Sequence, residues 1–453
     1  MEITELKQWF TAHKSEIRNS YFEFLRFASI SADPAHRKDC ESCAKWLVDF
    51  LRKGGLEVEQ IPTTSLPLIM VQDLSAGPSK PTLLVYGHYD VQPVDPLELW
   101  HSPPFEPTER NGSIFARGAV DDKGQILYAL YAALCWKELG RPLPVNLKFC
   151  IEGEEEFGSM GLSKALSKLK SKMKADYLLV VDFDQFDRGI PAVSMGARGI
   201  TSLEVTLRGS NTDLHSGIYG GVAYNPNRAL VELLSKLWDE TGRVQVPGFY
   251  DDVEEVSPKE SATYACRYEK KYYSKHFGIE AFGGEQGRSL HEANHFRPTL
   301  EINGIGGGYV GAGIKTVIPA AAFAKITCRL VPKQDPDKVG EAVATFLKKQ
   351  VVKGMKIEVT HYPGSPAFRG DRNSKLAKAV AAAATETTGK ECKYILSGGS
   401  IPVISELSLT SGAQVVGMGY GLIDDEIHAP NEHFDMDRFE QGFLTLGRAL
   451  ALL

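Results

Sequence analysis

An α/β fold is predicted by two features of the chain. Apolar strand-like runs alternate with amphipathic helical runs up to about residue 196, and the same alternation resumes after Gly370. The stretch between has a different character, hairpin-like strands with a few helices, which marks it as an insertion. The predicted architecture is a mixed, largely parallel sheet sandwiched by helices and interrupted by a smaller α+β domain. Its boundaries fall at 1–196 and 371–453 for the two parts of the first domain and at 197–370 for the insertion.

Each element follows from its spacing. Residues 2–29 and 36–54 carry apolar side chains at helical intervals, and Gly54-Gly55 stops the second helix. Leu56–Ile61 and Leu66–Val71 read as strands, and Leu83–Gln92 (LLVYGHYDVQ) is an apolar strand running into a histidine and an acid. Val94–Asn111, rich in proline and charge, reads as a long loop carrying Trp100 and Phe105. A helix is predicted over Ile126–Glu138 and a buried strand over Asn146–Ile151. A lysine-rich helix follows EGEEEFGSMG, and a short strand, Tyr177–Val181, ends at Asp182. In the insertion, Ile200–Leu207, Thr299–Ile305, Ala322–Val331 and Lys356–Tyr362 read as strands, and Pro226–Leu237 and Lys338–Lys349 as helices. The Glu/Lys/Tyr-rich 245–295 reads as surface helices. Beyond it, helices at Leu376–Thr387, Pro402–Leu409 and Phe439–Leu452 flank a strand at Gln414–Met418.

With 453 residues, 43% of them hydrophobic, and no biased tract, the chain has ample material for a buried core. A formal net charge of -6 argues against an electrostatic grip on nucleic acid or an anionic membrane and favours small ligands as partners. The amino-terminal MEITELKQWFTAHKSEIRN lacks a signal-peptide core, and no run approaches a membrane span. Seven scattered cysteines do not form a disulfide framework, so a reducing, cytoplasmic setting is expected. Cys40 and Cys43 share C-x-x-C spacing but fall within a helical apolar pattern and read as core residues. The glycine-rich 304–316 fails phosphate-loop spacing, because Ile314 separates the last glycine from Lys315; it reads as a flexible loop delivering Thr316.

The chemistry gathers around Leu83–Gln92. Side chains of a strand alternate faces, so His88 and Asp90 share one face and Tyr89 takes the other. Ligands of open α/β sheets bind beyond the carboxyl ends of strands, and histidine with carboxylates is a zinc-holding set. Asp121, the run Glu154–Glu156, Asp182 and His428 also fall beyond predicted strands or on the loops between them. Singly, each has a plain role as helix cap, solvated face, strand end or loop histidine. Together they form a mixed N/O set suited to two Zn²⁺ or similar divalent ions sharing a bridging carboxylate.

The strings GHYDVQP, ARGAVDDKGQ, EGEEEFGS, DLHSGIYGG, KTVIP, CRLVP, GGSIPV and HAPNE, in that order, resemble the M20 family of metallopeptidases, and within it the cytosolic nonspecific and carnosine dipeptidase branch. The resemblance covers essentially the whole chain and implies a zinc-peptidase-like catalytic domain with an inserted lid and dimerisation domain. Position by position, it implies that His88 and Asp182 bind one metal, Glu156 and His428 the other, and that Asp121 bridges both, with a cis peptide to Asp122. Asp90 would orient His88. Glu155 would be the general base, and Glu154 reads as a solvated neighbour.

The implied reaction is hydrolysis of the amide bond of dipeptides or short peptides with a free C-terminal carboxylate, by attack of a metal-bridging hydroxide. It implies a homodimer in which His215 and Thr316 act across the interface, His215 donating to the developing oxyanion. Arg329 would pair with the substrate carboxylate, with Thr316 and the backbone of Gly399 and Ser400 as further contacts. Zinc is the expected metal, and Mn²⁺ or Co²⁺ suits the same ligands. One departure stands out: Leu396-Ser397-Gly398 lacks the acid that the branch often carries before GGS, where it would meet the substrate's amino group. An N-acyl-amino-acid deacylase or carboxypeptidase on the same scaffold is therefore the alternative, and a catalytically silent peptide-binding protein is the reading from another class.

Overall fold

The structure, a computed structural model, describes residues 1–266 and 269–453. The chain divides into two compact units. The first comprises Met1–Gly196, Arg369–Leu396 and Val403–Leu453, and the second Ala197–Phe368 with Ser397–Pro402.

The first unit is built on a nine-stranded mixed sheet. Its centre runs Asn146–Glu152, Thr82–His88, Tyr177–Val180 and Gln414–Met418, all parallel. These strands read as near-continuous apolar runs because helices cover both faces of a parallel sheet. Every residue of Asn146–Glu152 is buried, as is every residue of Thr82–His88 after the first. The flanks make the sheet mixed, as predicted. Leu68–Asp73 joins Asn146–Glu152 antiparallel, Glu57–Ile61 joins Leu68–Asp73 antiparallel, and Ala192–Ala197 joins Gln414–Met418 antiparallel. Side-chain patterns mark which face a residue takes and carry no direction, so antiparallel flanks are invisible to them.

Helix Gln125–Glu138 is buried along most of its length and packs on Met436–Leu452, with Tyr128 edge-on to Phe439 at 5.9 Å. Ile3–Leu25 joins them through Trp9, stacked on Phe443 at 5.5 Å. Cys40 and Cys43 lie buried on helix Arg37–Lys53. The stretch 94–111 is more ordered than a loop. Thr108–Arg110 pairs with Ser113–Phe115, which in turn pairs with His433–Asp435, and Trp100 donates its indole N–H to Val94 O at 2.8 Å.

The second unit is a four-stranded antiparallel sheet in the order Thr299–Gly307, Ala321–Leu330, Gly199–Arg208, Lys356–Ser365. Gly199–Arg208 alternates buried and half-buried residues, as a sheet with one covered face does. Leu203, Val205 and Leu207 share a core with Leu230 and Leu233 of helix Pro226–Leu234 and Val343 and Leu347 of helix Pro336–Gln350. Among the described residues of 245–295 there are three short helices, Pro258–Ser261, Lys270–Phe277 and Leu290–His295. Residues 267–268 of that predicted helical stretch lie outside the described residues.

Candidate active site

Parallel strands bring their carboxyl ends to one edge, and there the acids and histidines of the first unit meet. His88 closes the central strand and pairs in register with Glu152, while Tyr86 pairs with Val180, two residues before Asp182. The buried His88 imidazole donates from Nδ1 to the Asp90 carbonyl at 3.1 Å, which turns Nε2 toward the acid cluster. Nε2 lies 3.1 Å from Asp121 Oδ1 and 3.8 Å from Asp182 Oδ2. The other Asp121 oxygen, Oδ2, lies 2.9 Å from His428 Nε2, which is 3.3 Å from Glu156 Oε2.

The cluster thus divides into His88, Asp121 and Asp182 on one side and Asp121, Glu156 and His428 on the other, with the donor atoms of each group within 4.8 Å of one another. Asp121 belongs to both, one oxygen facing each histidine. The Asp121–Asp122 peptide is cis.

Asp90 acts on more than His88. Its carboxylate lies 3.3 Å from His88 Nδ1 and accepts the backbone N–H of Glu155 at 3.2 Å and of Glu156 at 3.1 Å. One buried acid therefore aligns the histidine and the acidic turn together. Gln92 donates to Glu156 Oε2 at 2.8 Å. Glu154 is a correction. It is 6% exposed, not solvated, and its Oε2 accepts the Gly161 N–H at 2.9 Å in the first turn of helix Met160–Met173, where a carboxylate is favoured.

Burial raises the Glu155 carboxyl to about 8, with help from the charges of Glu156 and Asp121 and against His88. Burial likewise raises Glu156, Asp182 and Asp122, with the charge of Asp121 adding to each. Burial opposes ionisation of Asp121 too, but hydrogen bonds from His428 and His88 outweigh it and hold its carboxyl below the usual range. Hydrogen bonds to Asp121 and Glu156 raise His428 to about 10. Two imidazoles thus face the carboxyls of Asp90, Asp121, Asp122, Glu155, Glu156 and Asp182, an excess of negative charge. Cations resolve such an excess, and the oxygen and imidazole donors suit divalent ones, so the residues fit a metal pair.

The sequence model described as Peptidase family M20/M25/M40 matches residues 84–451. This chain belongs to that family. Among its M20 relatives, the Cys-Gly metallodipeptidase of Schizosaccharomyces pombe is 32% identical, covering 98% of this chain and 96% of the relative. The Beta-Ala-His dipeptidase of Homo sapiens is 30% identical over 97% of this chain and 90% of its own. Among solved structures, the M20 family metallo-carboxypeptidase Sso-CP2 from Sulfolobus solfataricus superposes with a TM-score of 0.86 at 32% identity, covering 96% of this chain and 99% of that one.

The second unit of this M20 chain carries the remaining expected residues in two groups. His215 pairs with Val317 in a two-stranded ladder, and Ser216 donates its N–H to Thr316 O at 3.1 Å, so His215 and Thr316 lie side by side, both exposed. His215 Nδ1 accepts the Gly217 N–H at 3.0 Å, which leaves Nε2 outward. Arg329 donates to Ser400 Oγ at 2.7 Å. Gly399 already donates its N–H to Ser397 Oγ at 3.1 Å.

Sequence reasoning missed Arg198. It donates its N–H to Gly399 O at 3.0 Å and its Nε to Gly398 O at 2.9 Å, and its own carbonyl accepts from Ser400 Oγ. It holds the GGS loop by three bonds. Burial lowers Arg198 to about 10, with the Arg329 charge as the second cause.

A further histidine pattern, His291-Glu292-Ala293-Asn294-His295, has the H-E-x-x-H spacing of zinc peptidases. Here Glu292 is engaged in a capping box with Ser289, and the two imidazoles bond to each other, Nδ1 to Nδ1, at 3.1 Å. Both features make that pattern a helix start rather than a metal ligand set.

Proposed function

We propose that this chain is a metal-dependent dipeptidase that holds two divalent cations, with His88 and Asp182 on one, Glu156 and His428 on the other, and Asp121 between them. The observation that carries this reading is Asp121, each of whose oxygens meets a different histidine. When bound, the cations polarise the scissile carbonyl and lower the pKa of water from ~15.7 toward ~7.

Glu155 follows Asp90-anchored geometry but has no place in either donor group, so its carboxylate is left to take a proton from water and pass it to the leaving amine. Its raised pKa, about 8 before any cation is counted, suits a group that must both accept and release a proton near neutrality. His215 donates from Nε2 to the oxygen on which charge develops, a contact that strengthens as the barrier is climbed. Arg329 receives the substrate's C-terminal carboxylate in a charge-assisted pair, with Thr316 and the Gly399-Ser400 loop as further contacts.

The finer assignments are zinc as the native metal, a homodimer through the second unit with His215 and Thr316 acting across its interface, and a cytoplasmic setting. The seven cysteines are free in the structure, which supports a reducing compartment. No helix among the described residues is long and apolar enough to cross a membrane.

Dipeptides with free amino ends, N-acetyl amino acids with matched C-terminal residues, and longer peptides should be assayed with Zn²⁺, Mn²⁺ and Co²⁺ in turn. Turnover of dipeptides is expected. Preference for the N-acetyl or longer series favours the second reading, a deacylase or carboxypeptidase, which the 32% identity to a metallo-carboxypeptidase and the missing acid at Leu396-Ser397-Gly398 support.

A further inference from the structure

Four residues beyond His428 lies Glu432, a buried acid in neither donor group. Both its oxygens are fully engaged. Oε2 accepts from Arg117 Nη1 at 2.8 Å and from the Gly118 N–H at 2.8 Å. Oε1 accepts from the Val120 N–H at 3.0 Å and the Asp121 N–H at 3.1 Å. Its backbone carbonyl accepts the Ala116 N–H at 3.1 Å, extending the ladder in which His433–Asp435 pairs with Ser113–Phe115. Residues 116–121 are thus bound along their length to the segment that carries His428. Arg117 is equally buried and spends a second donor on Pro93 O at 3.0 Å, so the ion pair is held from both ends.

We propose that Glu432 is the positioning residue that sets Asp121 and His428 at their mutual distance, so that the affinity for the cation shared by Asp121, Glu156 and His428 depends on it. The physical reason is preorganisation. Asp121 Oδ2 and His428 Nε2 are 2.9 Å apart on segments more than three hundred residues apart in sequence, and like-charged carboxyls around Asp121 push its loop away when no cation is bound. A rigid tie between the two backbones keeps the donors together at no cost at the moment of binding. In the other pair, His88 ends one strand and Asp182 follows two residues after the end of the strand beside it, so the sheet itself holds them and they have no need of that tie.

The test rests on the two-cation reading above. Parent and Glu432→Gln proteins are stripped with a chelator and titrated with Zn²⁺ buffered at graded free concentrations, and bound zinc is counted by elemental analysis. Glutamine keeps the size but turns an NH₂ group toward two donors. The expected result is two equivalents in the parent, and in the variant one equivalent at parental affinity with the second weakened roughly 10- to 100-fold.

Two equivalents with both steps parental, or both weakened alike, would overturn the inference, even if the metal-free variant melts at a lower temperature. A parent that binds fewer than two equivalents refutes the two-cation reading instead. Glu432→Asp preserves the charge facing Arg117 while shortening its reach to the amides of Val120 and Asp121. It is expected to weaken the same single step, and an unmoved step there also overturns the proposal.

Discussion

The two units concentrate charge of opposite sign. In the first, carboxyls crowd at the ends of parallel strands and burial raises most of them, so the site lacks positive charge. In the second, Arg198 and Arg329 lie together, both lowered by burial; the described hydrogen-bond partners of their guanidiniums are the uncharged Gly398, Thr299 and Ser400, and the charge of Glu301 offsets part of that of Arg198. On the proposed reading, one unit receives cations and the other an anion. Burying unbalanced charge is costly, and a fold keeps it where a ligand of the opposite sign repays the cost.

The most damaging change to this contrast is Asp121→Ala, which removes the group shared by both donor sets. Bound metal should fall below detection by elemental analysis, and turnover to the uncatalysed background. Retention of two equivalents would break the assignment of Asp121 as the bridge.

Next is Glu155→Gln, which leaves the donor set intact. Turnover should drop by roughly 10²- to 10⁴-fold at unchanged metal content. Equal rates in variant and parent remove Glu155 from the proton transfer.

Arg329→Met addresses the anion-receiving side. Losing one charge-assisted pair, worth about 1.5–3 kcal/mol, should raise KM by roughly 10- to 150-fold without touching bound metal. The same loss should be absent for a substrate whose C-terminal carboxylate is an amide. An equal KM increase for acid and amide would show that Arg329 holds the loop and not the substrate.

The smallest effect is a pH dependence of stability. Glu155 is raised from an ordinary 4.5 to about 8, so the folded metal-free protein binds more protons than the unfolded chain between those values. Stability is then greatest below about 4.5 as far as this group is concerned and falls as pH rises through about 8. The melting temperature of the metal-free protein should decline across that window, and added Zn²⁺ should flatten the decline. A metal-free melting temperature that rises over the same window contradicts the burial of an unbalanced acid cluster.

Much of the fold was legible because central strands buried on both faces leave continuous apolar runs, and the helices of the first unit keep a 3.6-residue apolar spacing. That His88, Asp121, the run Glu154–Glu156, Asp182 and His428 would gather was legible from their places beyond strands or on the loops between them, and the family resemblance singled out Glu156 within the run. What escaped was held by long-range pairing. Thr108–Arg110 looked like loop because its partners are Ser113–Phe115 and, through them, His433–Asp435. Glu154 looked solvated because nothing in an acidic run says which member turns inward to a helix start. Glu432 stands inside the HAPNE string, but three of its four side-chain partners are backbone amides, which leave no mark on the residues that donate them.

Gln414–Met418 fills a slot inside the sheet, between Tyr177–Val180 and Ala192–Ala197. On the ribosome, the whole second unit emerges before that strand exists, so the first unit waits with an exposed edge while its neighbour folds on its own sequential strands. Chaperone protection should matter most in that interval, and a transcript cut short before its final fifty codons should yield insoluble product instead of a weakened enzyme.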